Sequence, residues 1–173
     1  LEDEKTRLKN LKREGDEVLD VEAVLGLSYN LLAPDLQKYF RMLAVFTAPF
    51  PLFSAQAVLS VEEETLEDEL NKLVNRNLLY IFPPRGYLKT FSYFFHDLTR
   101  LYATKILLEN KEETKQAVTN HAKHYLRWAG AANNFYVKGN EHTIKGLQAL
   151  SAVWQHLMAA FQRCLPDPNI FPR

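Results

Sequence analysis

The stretch Leu78-Leu79-Tyr80-Ile81-Phe82-Pro83-Pro84-Arg85-Gly86, followed by Thr90-Phe91-Ser92-Tyr93-Phe94-Phe95-His96-Asp97, decides how the chain is read. Leu78 to Phe82 has the apolar, aromatic composition of a β-strand. Thr90 to Phe95 alternates polar with aromatic side chains, which puts the rings on one face. Pro83, Pro84, Arg85 and Gly86 supply the turn chemistry for a β-hairpin between them. Two strands cannot stand alone in water, so helices must close against this pair.

Three short helices lie directly upstream. Pro34 suits a first helical position and Asp35 the positive end of a helix dipole. Leu36, Tyr39, Phe40, Leu43 and Phe46 then recur at helical spacing as a core-facing stripe. Pro49 and Pro51 stop this helix. Ser54 is expected to cap a short second one holding Ala57, Val58 and Leu59. The third opens on acids and repeats Leu66, Leu70, Leu73 and Val74. Three helices and a hairpin, in this order, predict a winged helix-turn-helix domain.

Further upstream, Leu1 to about Arg13 has a helical pattern, with Leu8 and Leu11 on one side. A break at Gly15 and Asp16 precedes a second helix, with Asp20 as N-cap and Val21, Val24, Leu25 and Leu27 as its stripe. Downstream, Leu98, Leu101, Tyr102, Ile106 and Leu108 mark a helix after the hairpin. Lys111 to about Phe135 predicts another, with Val118, His121, Tyr125, Trp128, Ala129 and Ala132 near one side. Gly139-Asn140 breaks it, and Leu147, Leu150, Trp154, Leu157 and Phe161 form the stripe of the last helix. A short loop between two such helices predicts an antiparallel pair. Pro166, Pro168 and Pro172 predict an extended tail. The fold class expected is mainly α: a winged helix-turn-helix with a short hairpin, flanked by helical segments and a C-terminal helix pair.

Composition narrows the function classes. The 173 residues are 47% hydrophobic and 24% charged, enough apolar material for one or two cores. No stretch approaches the roughly 20 apolar residues of a membrane span. Charge at the N-terminus from Glu2 onward is unlike a signal peptide. The lone Cys164 has no internal disulfide partner, which fits a reducing, cytoplasmic setting. With no initiator methionine and a start inside a charged helical pattern, the sequence reads as a piece of a longer protein. Its 21 bases balance 21 acids, so no global field steers it toward nucleic acid.

No phosphate loop, GxGxxG turn, HExxH pair or cysteine pair is present, so an autonomous enzyme is not expected. His121 and His124 are three residues apart on a helix, but zinc needs two further ligands and no Cys or acid is placed to supply them. They read as surface or boundary residues, and no metal site is expected. DNA binding by the winged helix would insert the third helix, about Glu62 to Asn75, into the major groove. Through Arg76 that segment carries six acids against Lys72 and Arg76, the wrong sign for displacing counterions from phosphates. His96 and Asp97 are the sharpest feature. His96 sits where a strand gives way to a helix, a place that suits an anion. Asp97 lies in the first helical turn, where it can cap amides. Spacing alone leaves open the plainer alternative of a boundary histidine and an ordinary cap.

Three blocks, in order, resemble the NB-ARC family of STAND-class signalling ATPases. Val24-Leu25-Gly26-Leu27-Ser28-Tyr29-Asn30-Leu31-Leu32, with Lys38-Tyr39-Phe40-Arg41-Met42-Leu43-Ala44-Val45-Phe46, resembles the family's "SYdxL…fxxLavF" run. Leu70-Asn71-Lys72-Leu73-Val74-Asn75-Arg76-Asn77-Leu78-Leu79 is similar to its "LxxLvxrsLl" segment. Phe95-His96-Asp97-Leu98-Thr99-Arg100-Leu101-Tyr102-Ala103 resembles its "MHDLxrxxA" motif, with Phe95 where Met is usual. The resemblance implies that residues 1–32 end a small helical domain and residues 33–110 form the winged-helix domain with the Phe-His-Asp motif. Residues 111–165 would be a helical pair leading toward a repeat or sensor region, and 166–173 a tail.

It further implies that His96 contacts the β-phosphate of ADP held by the nucleotide-binding domain of the same protein, with Asp97 supporting the turn. The chain alone would hold no cofactor; ADP or ATP with Mg would bind the parent protein, which would self-assemble on activation. The function expected is a regulatory, domain-interaction region that holds the ADP-bound closed state, with no nucleic-acid or membrane partner. The alternative is a DNA-binding winged-helix regulator with a helical dimerisation tail.

Overall fold

A computed structural model describes residues 17–84 and 89–164, excepting the side chains of 17–20, 63–65 and 164. The helix expected over 1–13, turn residues Arg85 and Gly86, and the tail 166–173 fall outside the described residues. The chain is mainly helical with a small three-stranded antiparallel sheet. Its elements run α1 (Glu17–Asn30), α2 (Pro34–Leu43), β1 (Phe50–Pro51), α3 (Leu52–Leu59), α4 (Glu63–Asn75), β2 (Tyr80–Phe82), β3 (Ser92–Phe94), α5 (Asp97–Glu109), α6 (Lys111–Tyr136) and α7 (Glu141–Cys164).

The core forms where the apolar stripes of α2, α3 and α4 converge. Leu36, Phe40 and Leu43 of α2, Val58 and Leu59 of α3, and Leu66, Leu70 and Leu73 of α4 are all buried. Phe46 and Phe50 stack with ring centroids 4.0 Å apart, tying the end of α2 to the sheet. The same core continues through Ala103 and Leu107 of α5 to Ala117 and Tyr125 of α6 and Val153 of α7. Pro34 does open α2, and Asp35 sits in its first turn. The Gln37 side chain then donates to the carbonyls of Tyr29 and Leu32 at 3.2 Å each, satisfying acceptors at the end of α1.

The hairpin forms, but shorter than expected. Tyr80 pairs with Phe94, Ile81 with Tyr93 and Phe82 with Ser92. Leu78 and Leu79 are not strand residues; they are buried plugs after α4. The cause is a helix stop. Asn77 takes a left-handed backbone, φ 57°. Its N–H donates to Val74 O (2.9 Å), and that of Leu78 donates to Leu73 O (3.0 Å). This is the six-to-one and five-to-two pattern of a Schellman stop, with Leu73 and Leu78 as its apolar contact.

Four expectations are corrected. Pro49 and Pro51 do not end a helix, since α2 has already stopped at Leu43; Phe50–Pro51 is instead an edge strand, Phe50 opposite Tyr93, in the order β1-β3-β2. An edge tolerates proline because one side of the strand needs no donor. Ser54 does not cap α3. The N-cap is Pro51, and Ser54 is buried inside the helix. Asp20 lies within α1, which already begins at Glu17. The expected α1 stripe is largely exposed, with Val24 at 60% and Leu27 at 68%, while Leu25 of that stripe packs inward together with Tyr29.

α6 and α7 form the expected antiparallel pair, joined where Gly139 and Asn140 both adopt positive φ. The inward face of α7 differs from the expected one. Leu147, Trp154 and Phe161 are more than half exposed; Ala149, Val153, His156, Ala159 and Ala160 are buried. Gly146 explains the choice. A Cβ there would lie 2.7 Å from Ala132 O and from the Tyr136 backbone nitrogen. The helices approach too closely for large side chains between them, so the small-residue stripe turns inward. Among the described residues, no helix is long and apolar enough to cross a membrane.

Candidate functional site

His96 stands where β3 passes into α5. Phe95 is buried and meets the Phe40 ring edge-on, centroids 5.5 Å apart. It anchors the junction. His96 is the N-cap of α5 with extended backbone, φ −65° and ψ 147°, and successive residues of an extended segment point to opposite sides. Its side chain is exposed, as is that of Asp97 in the first turn. The His96 carbonyl accepts the Arg100 N–H at 2.8 Å, starting the helix, while its imidazole makes no capping bond. The ring is therefore left available at the surface beside the first-turn amides. Thr99, one residue past Leu98, turns back into the core.

α4 carries a different electrostatic surface. Glu62, Glu67 and Asp68 are exposed, and the nearby Lys72 is engaged by Glu69 at 2.6 Å. A phosphate backbone approaching this face would meet carboxylates before cations.

Between α3, α6 and α7 lies a group that the sequence reading did not bring together. His121 is fully buried, not a surface or boundary residue, and neither of its ring nitrogens meets a hydrogen-bond partner among the described residues. His156 of α7 lies 5.8 Å from it, centroid to centroid, and stacks on Tyr125 at 4.5 Å. The His156 Nε2 is 3.1 Å from Pro49 O, so that nitrogen carries the proton and donates. His124 is half-buried, its Nε2 2.9 Å from Ser54 Oγ. The buried Ser54 is thus a partner for a histidine of another helix.

Loss of hydration holds all three imidazoles below their ordinary range. Burial, reinforced by Arg163, His156 and His124, pushes His121 down to about 2. Burial brings His156 to about 4, against the opposing pull of the Pro49 carbonyl. Burial and Arg127 lower His124. Three neutral rings in an aromatic core form a packing cluster. Among the described residues, no group of three or more His, Cys, Asp or Glu side chains is arranged to hold a metal ion. The signal was present in part: His121 falls in register with Tyr125 and Trp128. His156 was hidden because its helix offers two stripes with helical spacing.

A second polar device holds the helices in place. Arg41 of α2 grips Glu113 of α6 with two hydrogen bonds of 2.7 Å, Nε to Oε2 and Nη2 to Oε1, and its Nη1 also donates to the Tyr29 hydroxyl of α1. Both charged side chains are largely shielded, at 17% and 13% exposure. The Glu113 bond, the largest influence on Arg41, raises its already high pKa. Lys105 of α5 pairs with Glu22 of α1 on the outside. No protein-family model matches the chain, and no curated protein is recovered as a relative.

Proposed function

We propose that this chain is a regulatory, non-catalytic region of a nucleotide-switched signalling ATPase, in which a winged-helix domain presents His96 to the phosphates of bound ADP. The observation that carries this reading is the exposed imidazole of His96 at the N-terminus of α5, held outward by the buried Phe95. The winged-helix reading is supported by the order of elements: a helix, an edge strand, two helices and a hairpin whose last strand pairs between the other two. The resemblance of the Phe95-His96-Asp97 block to the NB-ARC motif supplies the ligand.

Only one contact is asked of this chain. Asp97 already compensates the dipole of α5 from within its first turn, so the imidazole, rather than the helix field, makes the phosphate contact. Nucleotide binding and Mg chemistry belong to the nucleotide-binding domain. The exposed apolar side chains Val24 and Leu27 of α1 and Leu31 just beyond it form a surface such a domain would cover. Self-assembly of the whole protein follows when that contact is released.

The switch follows from linkage. A ligand moves a two-state equilibrium only by its differential affinity for the two states. A hydrogen bond to an ionised group is worth about 1.5–3 kcal/mol, roughly a tenfold to hundredfold preference. If His96 reaches ADP only in the closed arrangement, ADP holds the protein closed by that factor. DNA recognition is disfavoured by the exposed acids of α4. The test is the ADP affinity of a protein carrying both this region and its nucleotide-binding domain. His96→Ala should weaken it by about tenfold to hundredfold, and unchanged affinity overturns the proposal.

A further inference from the structure

A cavity of about 460 Å³ opens between the end of α2, α5, the start of α6 and the last turn of α7. That is within the range of about 300–1,000 Å³ of small-molecule sites. Its walls are mostly apolar: Ala44, Val45, Leu107, Leu108 and Val118. Ala44, Val45 and Leu107 belong to the packed core, so the floor is part of the fold rather than a loose surface dent.

The charged groups on the lining have one sign. Lys111 and Lys115, one turn apart on α6, stand with Arg163 of α7, and no carboxylate lines the cavity among the described residues. Two side chains brace the frame. The Arg163 Nη1 donates to Val45 O at 2.6 Å, fixing α7 against the end of α2. The Thr114 hydroxyl donates to Leu107 O (2.7 Å) and Asn110 O (2.8 Å), fixing the α5–α6 corner. A braced cavity spares a ligand the cost of ordering its own site.

From this pairing of apolar floor and cationic rim we infer that the cavity binds a small amphiphilic anion, an apolar chain ending in a single carboxylate or phosphate. The chain lies against Val45, Leu107 and Val118, and the head group rests between Lys111 and Lys115. The inference is independent of the nucleotide switch, since none of these residues belongs to the His96 junction.

Calorimetric titration of the 173-residue chain with sodium decanoate, decyl phosphate, 1-decanol and acetate tests it. Saturable one-to-one binding is expected for one or both long-chain anions, weakening as salt rises. The tighter of the two identifies the head group. Acetate should not bind detectably, and 1-decanol should bind at least about tenfold more weakly, since that factor corresponds to loss of a charge-assisted contact. Lys111→Gln with Lys115→Gln, both at exposed positions, should weaken the anion by a similar factor and leave 1-decanol unchanged. Val118→Trp, which fills the cavity, should weaken both. The inference is overturned if neither anion saturates in the low-millimolar range, if decanol matches them, or if the double lysine variant binds them as tightly as the parent.

Discussion

Acid should unfold this protein through its buried histidines. In the folded chain burial keeps His121 and His156 neutral, with pKa values near 2 and 4. In the unfolded chain the same rings titrate near 6.5. Below that pH the unfolded state takes up protons that the folded state refuses, so stability falls as pH falls. The loss begins near pH 6.5 and ends for His156 near its folded value of about 4. One pH unit is worth about 1.4 kcal/mol per proton. Between pH 7 and pH 5 each ring therefore costs roughly 2 kcal/mol, or about 4 kcal/mol for the pair.

That is a large share of the roughly 5–15 kcal/mol that holds an ordinary domain together. The groups facing the pair reinforce the sign: Arg163 and His124 both oppose protonation. Urea unfolding at pH 7 and pH 5 measures the effect as a fall in midpoint at constant slope. A chain with His121→Leu and His156→Leu, compared with itself across the two pH values, should lose most of the dependence. A penalty for misfit cancels in that comparison. A decline below about 1 kcal/mol in the parent chain, or an equal decline in the double variant, would refute the reasoning.

Other outcomes are equally specific. Gly146→Ala should destabilise by about 1–3 kcal/mol in thermal unfolding, because its Cβ must push backbone atoms of α6 aside. Glu113→Gln removes the partner of a shielded guanidinium and should cost about 3 kcal/mol, with most of the loss absent when Arg41→Met is already in place. Asn110→Ala removes the side chain that accepts the Glu113 N–H at 3.1 Å and should cost about 1 kcal/mol. His96→Ala should change the stability of the chain by less than about 0.5 kcal/mol, since its ring is exposed. A larger loss in chemical denaturation would show that the residue serves the fold instead of a ligand.

Much of the helical framework was legible because a helix is a local structure, and its periodic apolar positions are set within a dozen residues. The Leu36-Phe40-Leu43 and Leu66-Leu70-Leu73 stripes could be read directly, and so could Pro34 as a helix start. The strand at Phe50 was not legible. Its flanking prolines speak against a strand until Tyr93 is known to lie beside it, leaving it at an edge. His96 was found from its neighbours in sequence, and its exposure depends on Phe95 finding Phe40 more than fifty positions earlier.

Sequence alone determined roughly where α2 to α7 lie, and that two paired strands stand between α4 and α5. Tertiary structure decided which face of α7 turns inward, because large and small stripes share the same period and only the close approach at Gly146 separates them. It also decided that Ser54 serves His124 instead of a helix end, and that His121 meets His156. Such pairings join residues far apart in the chain. Their energies come from shape and lost hydration, which exist only once the helices have packed.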